Sequence, residues 1–151
     1  MRGFWLLIHI LGFTLWLGGG IATMITGVTA KRFVAAERLA AYRLASAVQR
    51  LLVGPGAVAA LLSGIVLSMS YMRGGVVPGW LMLMMAAGIL GGLVALGVSV
   101  PTAARLGRLE LDPRGELPEA FERLRKRQIW SASIAGGLGL LALVAGTVGR
   151  F

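Results

Sequence analysis

Residues 80–104 read WLMLMMAAGILGGLVALGVSVPTAA, 25 consecutive positions without a charged side chain. As a helix, such a run exceeds the ~20 residues needed to cross ~30 Å of hydrocarbon. Three more runs of the same character lie at 4–28, 51–72 and 129–148. Lipid offers a backbone amide no partner, so each run must satisfy its own hydrogen bonds as a helix. The spans predict an all-α bundle of four transmembrane helices. A β-barrel would need short alternating segments, and none are visible.

The chain has 151 residues, 57% of them hydrophobic, and no stretch outside the four runs is long enough for a second core. A single integral membrane domain over 1–151 is expected. The first run exceeds a signal-peptide core and is preceded only by Arg2, so it reads as a retained helix. Cysteine is absent, which removes disulfides, iron–sulfur ligation and thiol chemistry.

The net charge of +9 is unevenly spread. Lys31, Arg32, Arg38, Arg43 and Arg50 fall between the first two runs, and Arg105, Arg108, Arg114, Arg123, Arg125, Lys126 and Arg127 between the last two. That is twelve of the fifteen basic residues, with Arg73 in the middle connection and Arg2 and Arg150 near the ends. The positive-inside rule places connections one and three in the cytoplasm and both termini outside. A basic inner rim attracts anionic lipid headgroups. Base-reading and phosphate-tracking motifs are missing, so nucleic acid is excluded as a partner. Trp5, Tyr71 and Trp80 fall at the predicted outer ends and Trp130 at an inner end, as interfacial aromatics do.

The first connection reads as an amphipathic helix at the inner interface, running into the second span. Phe33, Ala40, Leu44, Val48 and Leu51 share one side, and the basic residues take the other. Gly54-Pro55-Gly56 then sits near the start of that span, where a kink can be tolerated. Gly74-Gly75 and Pro78-Gly79 mark a tight outer turn. Asp112-Pro113-Arg114-Gly115 suits a type I turn, after which a helix is expected from Glu116, supported by Glu119/Arg123 and Glu122/Lys126 pairs. Gly88/Gly92, Ala87/Gly91, Ser133/Gly137 and Ala142/Gly146 are candidate helix contacts, within the bundle or in a homodimer. Thr29-Ala30-Lys31-Arg32 loosely echoes Thr102-Ala103-Ala104-Arg105, the trace of a parallel duplication.

Few residues suggest chemistry. All six acids lie in the basic connections, and no paired carboxylate, phosphate loop or nucleophile–base set is present, so no catalytic residue is assigned. Of ionisable groups within a span, only His9 is found, which disfavours secondary transport. On its face stand Trp5, Gly12, Phe13 and Trp16 at helical spacing, rings and a small residue that would leave a groove for a flat macrocycle with His9 as axial ligand. A neutral His9 bonded to a neighbouring helix is the plain structural alternative. Met69, Met72, Met82, Met84 and Met85 cluster at the outer ends of spans two and three, at the level of His9. Imidazole with thioether is a ligand set suited to Cu(I), and Met is also a haem ligand, so His9 with Met69, Met72 and Met82 is a candidate metal set. Methionine is equally ordinary core filler.

The stretch His9-Ile10-Leu11-Gly12-Phe13-Thr14-Leu15-Trp16-Leu17-Gly18-Gly19 resembles the first helix of a superfamily of small bacterial membrane proteins that includes copper-resistance-D-type proteins. Gly54-Pro55-Gly56-Ala57, Leu62-Ser63-Gly64 and Val100-Pro101 resemble an uncharacterised family of four-helix integral membrane proteins within it. A related family is a membrane protoporphyrinogen oxidase that binds haem b through a first-helix histidine; the resemblance places His9 in that role. The chain lacks further intramembrane histidines and that enzyme's charged motif, so its activity is not implied. Two functions remain: a membrane protein in redox or metal handling that holds haem b or copper through His9, or a cofactor-free accessory subunit of a larger membrane complex.

Overall fold

The computed structural model describes residues 1–75 and 77–149, apart from the side chain of Ser70; Arg150 therefore lies outside the described residues. Four helices are long and apolar enough to cross a membrane. Helix α1 (Arg2–Thr29) closes in a 3-10 turn at Ala30–Arg32. Helix α2 (Ala35–Arg73), α3 (Gly79–Leu106) and α4 (Ala120–Val148) follow. No strand occurs among the described residues. The helices run up and down, so one end of the bundle carries the basic connections and the other carries Met1 and the turn between α2 and α3. These are called the basic end and the terminal end.

Helix α2 is longer than a membrane is thick: its 39 residues make ~58 Å, about twice the hydrocarbon core. The expected interfacial helix is its first part and continues into the span without a break. Its protein-facing row is Leu39, Tyr42, Ser46, Gln49 and Val53, all buried, whereas Phe33, Leu44 and Leu51 stay exposed. The segment thus has one apolar side for the bundle and a second free for the lipid boundary.

Both prolines inside spans follow a widened turn. Residues Gln49–Val53 precede Gly54-Pro55, and Ala95–Ser99 precede Val100-Pro101; in each the amide after the turn reaches back five residues, to Gln49 O and Ala95 O. Proline has no N–H to give, and a π turn absorbs the interrupted ladder. The Gly54-Pro55-Gly56 site, where a kink could be tolerated, thus carries a π turn.

At the terminal end, Gly75 turns the chain with φ +76°, in the left-handed region that glycine adopts without strain. At the basic end, Gly115 N donates to Asp112 O (2.9 Å), and Asp112 Oδ1 accepts from Arg114 N (2.9 Å) and Glu116 N (2.7 Å). These bonds keep the chain out of helix until Ala120, four residues later than the Glu116 start expected. The ion pairs among the described residues also differ. Glu122 joins Arg38 on α2 (3.2 Å) and Arg125 (2.9 Å), in place of the Glu119/Arg123 and Glu122/Lys126 pairs. The Tyr42 and Phe121 rings meet edge to face at 5.2 Å, tying α2 to α4 beneath this triad.

Helix α1 packs along α2 and α4 along α3; the two pairs join mainly through α2 and α3, and α1 touches α4 little. Small residues set the closeness within pairs. Gly88, Ala87/Gly91 and Ala142/Gly146 serve such contacts and Gly92 seats Leu61, while Gly137 has nothing within 4 Å and Ser133 is exposed. The suggested duplication does not extend to packing, because Thr29 is exposed and Thr102 buried.

Along the bundle the interior changes character. A dry layer of Trp16, Val53, Ala57, Ala60, Ala95 and Ala135 fills the middle. Toward the basic end lies a polar layer, in which Gln49 Nε2 donates to Thr23 Oγ1 (3.0 Å) and Ser99 Oγ to Ser131 Oγ (3.0 Å). Ala30, Leu39, Tyr42, Leu106 and Phe121 close that end. Toward the terminal end the two helix pairs part around a cavity.

Candidate functional site

The closest approach of α1 and α2 is at Gly12 and Gly56, where a Cβ on either would strike the other's backbone. One turn nearer the terminal end, this crossing brings His9 against Ala60, Ser63 and Gly64. Its Nδ1 lies 2.9 Å from Ala60 O and 3.2 Å from Ser63 Oγ. Among the described residues Nε2 makes no hydrogen bond.

His9 lines the cavity between the helix pairs, whose volume is about 780 Å³. Phe13 and Trp16 continue its wall, with ring centroids 6.2 Å apart for His9–Phe13 and 5.7 Å for Phe13–Trp16. Trp16 is 3% exposed and belongs to the dry layer, so it floors the cavity. The far wall is α3 and α4, where Gly88 and Gly146 leave room and Met84 and Met85 supply thioethers. The sulfur of Met84 occupies the notch at Gly146, 2.7 Å from where a Cβ would stand. Arg2, Tyr71 and Trp80 line the terminal end, and the Tyr71 and Trp80 rings pack edge to face at 5.9 Å. Among the described residues of the lining Arg2 is the one cation, and none is an acid.

The site residues expected from sequence thus divide. His9, Phe13 and Trp16 stand together on the cavity wall. Gly12 faces away from it, into the α2 contact, because its missing side chain serves helix crossing. Trp5 packs edge-on against Phe4 at 5.7 Å and does not line the cavity. Met69, Met72 and Met82 are 44%, 49% and 61% exposed on outward faces, and the fold does not bring them to His9. The thioethers that reach the cavity are Met84 and Met85. Spacing held the clue: Met84 is four residues from Gly88, while Met82 lies on the opposite side of the helix. Ser63 was marked only within the Leu62-Ser63-Gly64 resemblance, with no link to His9, and Arg2 by nothing; the fold brings Ser63 to His9 and Arg2 to the cavity.

No group of three His, Cys, Asp or Glu occurs among the described residues. The cavity instead brings one imidazole and the thioethers of Met84 and Met85 to apolar walls, around a volume in the range of small-molecule sites.

Residues 5–145 match the family model described as "Predicted integral membrane protein (DUF2269)". The chain belongs to this family of predicted integral membrane proteins. No curated protein and no solved structure matches it. The matched stretch includes His9, Ser63, Met84 and Met85, and excludes Arg2.

Proposed function

We propose that this membrane protein binds a haem-type tetrapyrrole in the cavity between its helix pairs, with His9 as axial ligand, and serves in redox or metal handling. The observation that carries the reading is the lone imidazole on the wall of an apolar space of about 780 Å³. Phe13 and Trp16 would wall the group, Trp16 would close the floor of the cavity, and Met84 or Met85 would be the thioethers within its reach. Arg2 at the mouth would pair with a carboxylate. A bound haem supplies one-electron exchange; the protein supplies the ligand, the dry walls and the orientation. The resemblance of the first helix to copper-resistance-D-like proteins motivates this reading, in which the basic end would face the cytoplasm of a bacterial inner membrane, against anionic headgroups.

The deciding experiment is a visible spectrum with metal analysis of detergent-purified protein. A Soret band lost in His9→Ala supports the proposal. Stoichiometric copper without a Soret band replaces haem by copper. A colourless, metal-free protein that also takes up no added haem overturns the cofactor reading. It favours the accessory-subunit function, for which the exposed Ser133 and Gly137 on α4 offer a flat docking face.

A further inference from the structure

The hydrogen bonds around His9 carry more than its position. Ala60 O has no proton, so at 2.9 Å the ring atom facing it must be an N–H. Ser63 is fully buried and its hydroxyl donates to Ala59 O (2.5 Å), the back-bond of a serine within a helix. That leaves the lone pairs of Ser63 Oγ for Nδ1, 3.2 Å away. Both neighbours of Nδ1 are therefore acceptors. The opposite tautomer would set a nitrogen lone pair against a carbonyl oxygen in apolar surroundings, an uncompensated buried polar contact. Gly64 sets the approach: a Cβ there would lie 3.1 Å from His9 Cε1 and 3.4 Å from Nδ1. A side chain there would make the ring give by a few tenths of an ångström and loosen its approach to Ala60 O.

We infer that Ser63 and Gly64 form a seat that holds His9 with its proton on Nδ1 and leaves Nε2 as a bare electron-pair donor. The consequence for ligand class rests on the cofactor reading above: a bare Nε2 offers a lone pair to a Lewis-acidic metal centre and no N–H to a ligand acceptor. Ligating histidines are commonly oriented by such a bond from the other ring nitrogen. Ser63 and Gly64 are thus positioning residues. They act through His9 and need not touch the ligand.

This is the chain's one histidine, so nitrogen-15 labelling of histidine gives one imidazole spin system. In cofactor-free protein in detergent, at a pH where the ring is neutral, the seat places the proton on Nδ1. Neutral histidine in water prefers it on Nε2. Gly64→Ala and Ser63→Ala are each expected to give a mixture of tautomers. Leu62→Ala, on the exposed side of the same turn, should leave the spectrum unchanged. Titrating the same samples with haem should show Ser63→Ala binding about 10–100-fold more weakly. A wild-type proton on Nε2 overturns the seat, with or without haem uptake. So does a tautomer that neither Ser63→Ala nor Gly64→Ala alters. A proton on Nδ1 with no haem uptake upholds the seat and overturns the cofactor reading.

Discussion

Gly12 and Gly56 meet backbone to backbone: a Cβ on Gly12 would lie 2.8 Å from Gly56 O, and one on Gly56 2.7 Å from Gly12 O. Neither carbonyl can rotate aside as a side chain could, so α1 and α2 would have to separate. Gly12→Ala and Gly56→Ala should each destabilise the bundle by about 1–3 kcal/mol, the usual range for overpacking. Thermal unfolding in detergent checks this against Gly137→Ala, whose Cβ meets nothing within 4 Å. Equal midpoints for all three would show that the crossing is looser than described.

The methionines separate by face. In haem-loaded protein, Met84→Leu or Met85→Leu should shift the absorption bands or the reduction potential, while Met69→Leu, Met72→Leu and Met82→Leu leave both unchanged. Met↔Leu conserves volume, so a spectral change reports sulfur rather than repacking. An effect confined to the exposed set would exclude thioether approach by Met84 and Met85.

Glu122 holds two guanidinium groups, those of Arg38 and Arg125, yet its own side chain is 53% exposed. Solvent screening limits what such a triad contributes, and Glu122→Gln should cost under ~1 kcal/mol, less at high salt. The Arg38 guanidinium also lies 4.9 Å above the Phe121 ring, a contact the substitution leaves in place. A large, salt-independent loss would mean that the charges act in a far drier setting.

Gln49 is 1% exposed, and its Oε1 has no partner among the described residues while its Nε2 donates to Thr23. Thr23 already gives its own proton to Gly20 O, so the amide cannot be reversed. Gln49→Met removes an unsatisfied acceptor at similar volume and should leave the unfolding midpoint level or higher. A clear drop would reveal a donor, such as a buried water, on Oε1.

Orientation is open to a clean test because the chain has no cysteine. With Arg73→Cys and Arg114→Cys, a membrane-impermeant maleimide applied to intact cells should label the first and spare the second. The reverse pattern would invert the proposed topology.

The sequence by itself determined that this is a four-span helical membrane protein, because lipid solvation acts on every residue of a run and needs no partner to be recognised. It also marked His9, Phe13 and Trp16 as one face, since helical spacing is local. Tertiary structure decided which side of each helix the bundle uses. Gly12 lost its place in the groove to the α2 crossing, and the turn at Asp112 delayed α4 to Ala120. Met82 gave way to Met84 and Met85 because rotation of α3 about its axis depends on contacts with α4. Ser63 and Gly64 acquire meaning only opposite His9, more than 50 residues away in the chain. Such pairings follow from how two helices cross, and an all-round apolar helix carries no strong periodicity to announce its crossing face.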